Sequence, residues 1–177
     1  MTQNLFSEEP NNLLYIVRAN FNATENITWQ EMFEGYDTLK AITYSSSIDF
    51  ICKLLPKFNT SEIIFGFEGI LSYQMHEIIA YQTKTIKRIK ENSSKNKIDL
   101  TERIDAGNLK LLVSRTQISH EKTYLLKSAN NKYRVILGSA NLSKMAFSGT
   151  QRENIIVMDS EEAYNHYLFV YFPLLGS

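Results

Sequence analysis

The chain has 177 residues, of which 44% are hydrophobic and 21% charged. These proportions suit one compact globular domain and exclude a disordered tail, a collagen-like fibre and a disulfide scaffold. Lys and Arg number 19 and Asp and Glu number 19, so no global basic field draws the chain to nucleic acid or to an anionic membrane, and any phosphate recognition must be local. The lone cysteine, Cys52, the absence of a basic and apolar leader in Met1–Pro10, and the lack of an apolar run near the ~18 residues of a bilayer span together predict a cytoplasmic protein without membrane attachment.

In chain order, Leu13–Arg18 reads as a first strand or the arm leading to one. Trp29–Leu39 mixes aromatic and charged residues in a helical rhythm, with Thr28 placed to cap it. Ala41–Tyr44 is a short strand, and Ser45–Ser47 can cap a helix that begins near Ile48 and stops at Pro56. On that helix Cys52 falls on the apolar face, as a core residue. Glu62–Phe67 is strand-like and, after Glu62, continuously apolar, as in a strand covered on both faces. A long helix follows, with Leu71, Met75, Ile78, Ile79, Ile86 and Ile89 near a 3.6-residue period. Lys84, Lys87, Arg88 and Lys90 in its last turns complement the helix dipole or, on a sharper reading, touch a nucleic-acid backbone.

Beyond the polar stretch Glu91–Lys97, the second half repeats strand signals at Leu109–Val113, Ile118–Leu126, Tyr133–Leu137 and Asn154–Met158. Asn130-Asn131 suits a hairpin tip, Leu142–Phe147 a helical turn, and Ser160 the start of a final aromatic-rich helix from Ala163. Strands that alternate with helices and then cluster predict an α/β domain with a mixed central sheet sandwiched between helices. Residues 1–40 are read as an N-terminal arm and first helix of the same domain as residues 41–177. The end at Phe172–Ser177, directly after a strong helix, suits either the N-terminal part of a longer protein or a short complete one.

The stretch that carries chemistry is Ile118–Lys127 with Tyr133–Ser143. If His120 and Lys122 stand on a strand, they share a face about 6 to 7 Å apart. Ser139 and Asn141 alternate just after the next strand, where Gly138 lets backbone approach closely. A hairpin closing at Asn130-Asn131 brings a nucleophile, a cation, a hydroxyl and an amide to one spot, a set that suits a phosphate. Arg115, Lys132, Arg134 and Arg152 flank this spot in sequence, as solvated strand ends or as a basic rim guiding a polyanion. Tyr124 shares the strand face of His120 and is read as packing. His76 and His166 are read as a surface or interhelix residue and a packing residue. No Cys and His cluster has zinc-ligand spacing, and no phosphate-loop or dinucleotide fingerprint occurs.

His120-Glu-Lys122, then Gly138-Ser139-Ala140-Asn141, then Glu153-Asn154 opening the next strand, resemble the phospholipase D superfamily. That family's pattern is H-x-K-x-x-x-x-D, six residues, G-S-x-N, with a Glu-Asn pair downstream in many members. The resemblance spans roughly residues 41–172. Two positions depart from it: Lys127 stands where the family has Asp, and residues 128–137 make the connection to Gly138 four residues longer. Tyrosyl-DNA phosphodiesterases and several nuclease-type members also lack the Asp, so the departure points away from lipid substrates and towards nucleic acid, or towards a silent copy.

The resemblance implies a single half-site unit with this chemistry: His120 attacks phosphorus, Lys122 and Asn141 hold the non-bridging oxygens, Ser139 supports the loop, and Glu153 orients an imidazole. It implies no metal and no cofactor. Because the chain's other histidines lie outside any H-x-K context, it also implies a homodimer with one groove at a two-fold interface. The expectation is a metal-independent phosphodiesterase acting on DNA, or RNA, through a phosphohistidine. The rival is a catalytically silent domain that dimerises or docks nucleic acid for a larger protein. Were Lys127 to face the site, its charge would repel protonated His120, and Lys127→Asp would move the pH optimum.

Overall fold

The computed structural model describes residues 13–18, 28–66, 80, 84, 87–92, 100–113, 119–148 and 150–170. Its frame is a seven-stranded sheet in the order β1-β7-β6-β5-β2-β3-β4. The strands are β1 (Leu13–Arg18), β2 (Thr38–Thr43), β3 (Thr60–Phe65), β4 (Leu109–Val113), β5 (Thr123–Lys127), β6 (Tyr133–Gly138) and β7 (Asn154–Asp159). The β2, β3 and β4 strands run parallel. From β2 through β5, β6 and β7 to β1 every neighbour is antiparallel.

Both faces of the sheet are covered, which explains why its central strands read as unbroken apolar runs. On one face Leu39, Ala41, Ile63, Phe65, Tyr124, Leu126, Ile136, Ile155 and Val157 meet four helices. These are α1 (Trp29–Phe33), α2 (Ile48–Leu54), α3 (Leu100–Asp105) and α4 (Lys144–Phe147). Phe147 is the hinge of this layer, stacked on Phe50 and edge-on to Phe33 and Tyr124. On the other face Ile42, Ile64, Leu125 and Val135 pack against Tyr164, Tyr167 and Leu168 of α5 (Glu161–Val170).

The mixed sheet between helix layers is the expected architecture, but several boundaries differ. Helix α1 stops at Phe33, and the chain turns at Gly35 (φ 83°) so that Thr38 already opens β2. Its cap is as expected: Thr28 Oγ1 accepts from the Glu31 N–H, and the Glu31 carboxylate accepts from the Thr28 N–H. The α2 helix begins where Ser47 placed it, although the Ser47 side chain makes no capping bond. Helix α3 has no counterpart in the sequence reading. Cys52 is buried as expected, and burial pushes its thiol pKa up.

The β5–β6 hairpin closes as expected. Asn131 takes a left-handed conformation (φ 57°), and the Ser128 N–H donates to the Lys132 carbonyl at 2.9 Å. Of the long basic helix, residues 80, 84 and 87–92 are described and helical; His76 and the earlier turns lie outside the described residues. Ile89 is buried in the larger core, while Lys84, Lys87 and Arg88 are exposed.

Candidate functional site

Strand register brings the candidate residues to one margin of the sheet. Ile42 stands opposite Thr123, Thr123 opposite Leu137, and Gly138 opposite Ile155. Tyr44, Lys122, Ser139 and Glu153 therefore leave the ends of β2, β5, β6 and β7 side by side. The motif residues are separated in sequence and adjacent here because each sits one to three positions beyond a paired strand end.

His120 and Lys122 are not on a strand, contrary to the expectation over Ile118–Leu126. The sheet pairing of β5 starts at Thr123, and alternation does not place the two side chains. Ser119 takes the Glu121 N–H onto its own Oγ at 3.2 Å, which diverts a backbone donor from the ladder. The Ser119 carbonyl lies against Gly66, where any Cβ would collide with it, so a glycine at the end of β3 sets where the His-x-Lys segment enters.

His120 is exposed, and its ring stacks on Tyr44 with centroids 4.0 Å apart and planes 19° apart. The Lys122 ammonium donates to the His120 carbonyl and lies 5.5 Å from the centre of the same Tyr44 ring. Glu121, between them, is half-buried, and its carboxyl pKa is raised by that burial.

The Gly-Ser-x-Asn turn is tied to the same place by backbone. Gly138 has φ 148°, and a Cβ there would strike the Asn154 carbonyl. That carbonyl accepts from the Ser139 N–H at 3.0 Å. Asn141 Oδ1 accepts from the Ser45 N–H at 3.1 Å. A backbone N–H can only donate, so this bond fixes the amide's orientation and leaves the Nδ2 hydrogens to reach an anion. Thr43, fully buried at the end of β2, donates from Oγ1 to the Ser45 carbonyl and accepts from the Leu142 N–H. One link thus runs from His120 through Tyr44 and Ser45 to Asn141.

Ser139 and Glu153 form a unit of their own. Ser139 Oγ donates to Glu153 Oε2 and accepts from the Asn154 N–H at 3.0 Å. Its single proton is committed, so in this arrangement Ser139 holds the loop and donates to nothing else. Glu153 is 5% exposed, and Oε2 is the oxygen that takes the Ser139 proton. Tyr124 packs, as expected: it is buried and donates from its hydroxyl to the Ala140 carbonyl at 2.6 Å. Burial drives its pKa well above the usual phenol range.

The flanking cations divide. Arg134 points away from this margin. It makes a two-pronged bond to Asp159, donates to the Glu31 and Met32 carbonyls at 3.1 Å, and lies over Tyr36. Lys132 is at the hairpin tip, at the far end of the sheet. Arg152 is exposed next to Glu153, and Arg115 lies outside the described residues. A rim built from all four is therefore not what the fold makes. Lys127 ends β5 at the far margin, over the Tyr133 ring, and at ~3.3 Å per residue of strand it stands roughly 16 Å from Lys122. The sequence leaves open whether Lys127 faces the site; the structure places it away from it, so the condition for a shifted pH optimum in Lys127→Asp is not met. His166 is exposed on α5 against Tyr167.

Sequence reasoning missed Tyr44, Ser45 and Thr43 as parts of the site. The available signal was a tyrosine and three serines at a strand end, a place where side chains leave the core. Among the described residues no three His, Cys, Asp or Glu side chains are arranged to hold a metal ion, and no helix is long and apolar enough to cross a membrane.

Residues 21–172 match the family model described as the NgoFVII restriction endonuclease N-terminal PLD domain. An uncharacterized protein of Aquifex aeolicus, aq_aa28, is 30% identical over 158 residues, covering 86% of this chain and 95% of its own. Among solved structures, the phospholipase D family member Nuc of Salmonella typhimurium is similar in fold, with TM-score 0.54 and 13% identity over 89% of this chain and 90% of that one. Yeast tyrosyl-DNA phosphodiesterase is similar at TM-score 0.52 and 13% identity over 84% of this chain. The chain spans 32% of the length of that enzyme.

Proposed function

Because the chain belongs to the NgoFVII restriction endonuclease N-terminal PLD domain family, we propose that it is a phosphodiesterase of the nuclease type, cleaving DNA or RNA through a phosphohistidine. The observation that carries the reading is the meeting, at one margin, of an exposed imidazole, an ammonium and an amide with its oxygen already occupied. A restriction endonuclease in the family's name and a tyrosyl-DNA phosphodiesterase among the fold relatives support the substrate class.

In this reading His120 attacks phosphorus with an in-plane nitrogen lone pair. A P–N bond forms as the bond to the leaving oxygen breaks, and a second imidazole gives that oxygen its proton. The second imidazole then takes a proton from water, whose oxygen displaces His120. Lys122 swings from its carbonyl to the non-bridging oxygens, and Asn141 Nδ2 donates to them, so charge developing in the transition state meets fixed donors. Ser139 holds Glu153, whose other oxygen accepts from Nδ1 of an imidazole and turns Nε2 to the phosphorus. The second imidazole comes from a second copy across a two-fold axis.

The test is cleavage of labelled single- and double-stranded DNA in excess EDTA, wild type beside His120→Ala. Wild type cuts, and the variant loses at least about 10³-fold in rate. A folded wild type that cuts neither DNA nor RNA would move the assignment to a silent docking module. An active monomer by ultracentrifugation would remove the shared groove.

A further inference from the structure

We propose that Tyr44 is a positioning residue for both halves of the His-x-Lys pair, an assignment that rests on the phosphodiesterase reading. The nucleophilic lone pair of an imidazole lies in the plane of the ring. A wall against the ring's flat face therefore leaves attack unobstructed while fixing the plane in which attack occurs. Tyr44 is such a wall: it lies 4.0 Å from His120, 19° from parallel. His120 is exposed and precedes the first ladder pair of β5, so neither burial nor strand pairing holds its ring. Stacking on Tyr44 supplies the missing constraint.

The same ring receives the Lys122 ammonium at 5.5 Å, a distance at which a cation is attracted to an aromatic face. One ring thus touches both nucleophile and cation in the resting site, where the ammonium also donates to the His120 carbonyl. Tyr44 is itself well anchored. Thr43 before it is fully buried in β2, and Ser45 after it is bonded to Asn141 and accepts from Thr43 Oγ1. Displacement of the Tyr44 backbone would disturb the amide as well, so the segment Thr43–Ser45 registers the two motifs against each other. The ring's flatness is what does this, and its hydroxyl is not required.

Three variants separate this role from others. Tyr44→Phe keeps the flat ring and should cleave within about twofold of wild type. Tyr44→Leu keeps bulk and loses flatness; kcat should fall by about 100-fold with KM little changed, as expected when a reacting group is misplaced by an ångström. Tyr44→Trp should recover most of kcat. The second readout is the imidazole proton spectrum, in which the His120 signals are those missing from His120→Ala. Stacking shifts them upfield through the tyrosine ring current, and Tyr44→Leu should move them downfield while Tyr44→Phe leaves them in place.

Full kcat in Tyr44→Leu, or a loss confined to KM, overturns positioning; the latter would make Tyr44 a substrate contact. If wild type cuts no nucleic acid, the phosphodiesterase reading fails separately. The spectrum still decides the packing claim, and His120 signals unmoved in Tyr44→Leu overturn it.

Discussion

The two ends of the sheet hold similar residue types and use them in opposite ways. At the far end, charge is closed upon itself. Arg134 and Asp159 pair with 13% and 22% of their side chains exposed, and the guanidinium also meets two helix carbonyls. Asp37 accepts from the Ala129 N–H and from the Asn59 amide, and Lys127 lies on Tyr133. At the near end the Asn141 oxygen is held by the Ser45 N–H and Lys122 by one bond to the His120 carbonyl, while Ser139 spends its proton on Glu153. An amide or ammonium held by backbone at one point keeps further donors for a ligand. A cation's proximity to the motif in sequence therefore tells little of its role, because a strand runs from one margin to the other.

The comparison breaks most easily at the near end. Asn141→Ala removes a fixed donor and should lower kcat by about 10² to 10³-fold in steady-state DNA cleavage, with thermal stability changing much less. If its rate is near wild type, the amide holds Ser45 and nothing else. At the far end, Arg134→Met strands the Asp159 carboxylate and frees two carbonyls. It should cost about 2 to 3 kcal/mol in urea unfolding, less than a fully buried pair because both partners keep some solvent. Cleavage by the folded fraction should be unchanged; a selective loss of DNA affinity would restore Arg134 to a binding rim. The smallest effect belongs to Lys127→Asp. It restores the family's motif residue at the far margin, and kcat/KM should keep its pH profile within about twofold, since exposed charges more than a Debye length of ~8 Å apart barely interact. A shifted optimum would bring Lys127 back to the site.

Much of this was legible before folding. His120, Lys122, Ser139, Asn141 and Glu153 stood out because their spacing matched a family pattern, and the structure brings all five to one margin. Alternation along a strand would put His120 and Lys122 on one face, yet they sit before β5, where the Glu121 N–H turns to Ser119 Oγ. Arg134 and Arg152 looked equivalent in sequence; register sent one to each end of the sheet. The helical rhythm that starts at Trp29 continues to Leu39, but α1 ends at Phe33 and the chain turns at Gly35.

Composition and local pattern were enough for the α/β class, for most strands, for the hairpin tip at Asn131 and for the motif residues, since these depend on side-chain period and turn chemistry within a few neighbours. Which residues touch depends on pairing between segments far apart in the chain. The contact of Tyr44 with His120, the bond from Ser45 to Asn141, the locking of Ser139 onto Glu153 and the removal of Lys127 and Arg134 to the far end all follow from sheet order and register. Those are set by long-range burial of two apolar faces, a sum over the whole core that no short stretch of sequence contains.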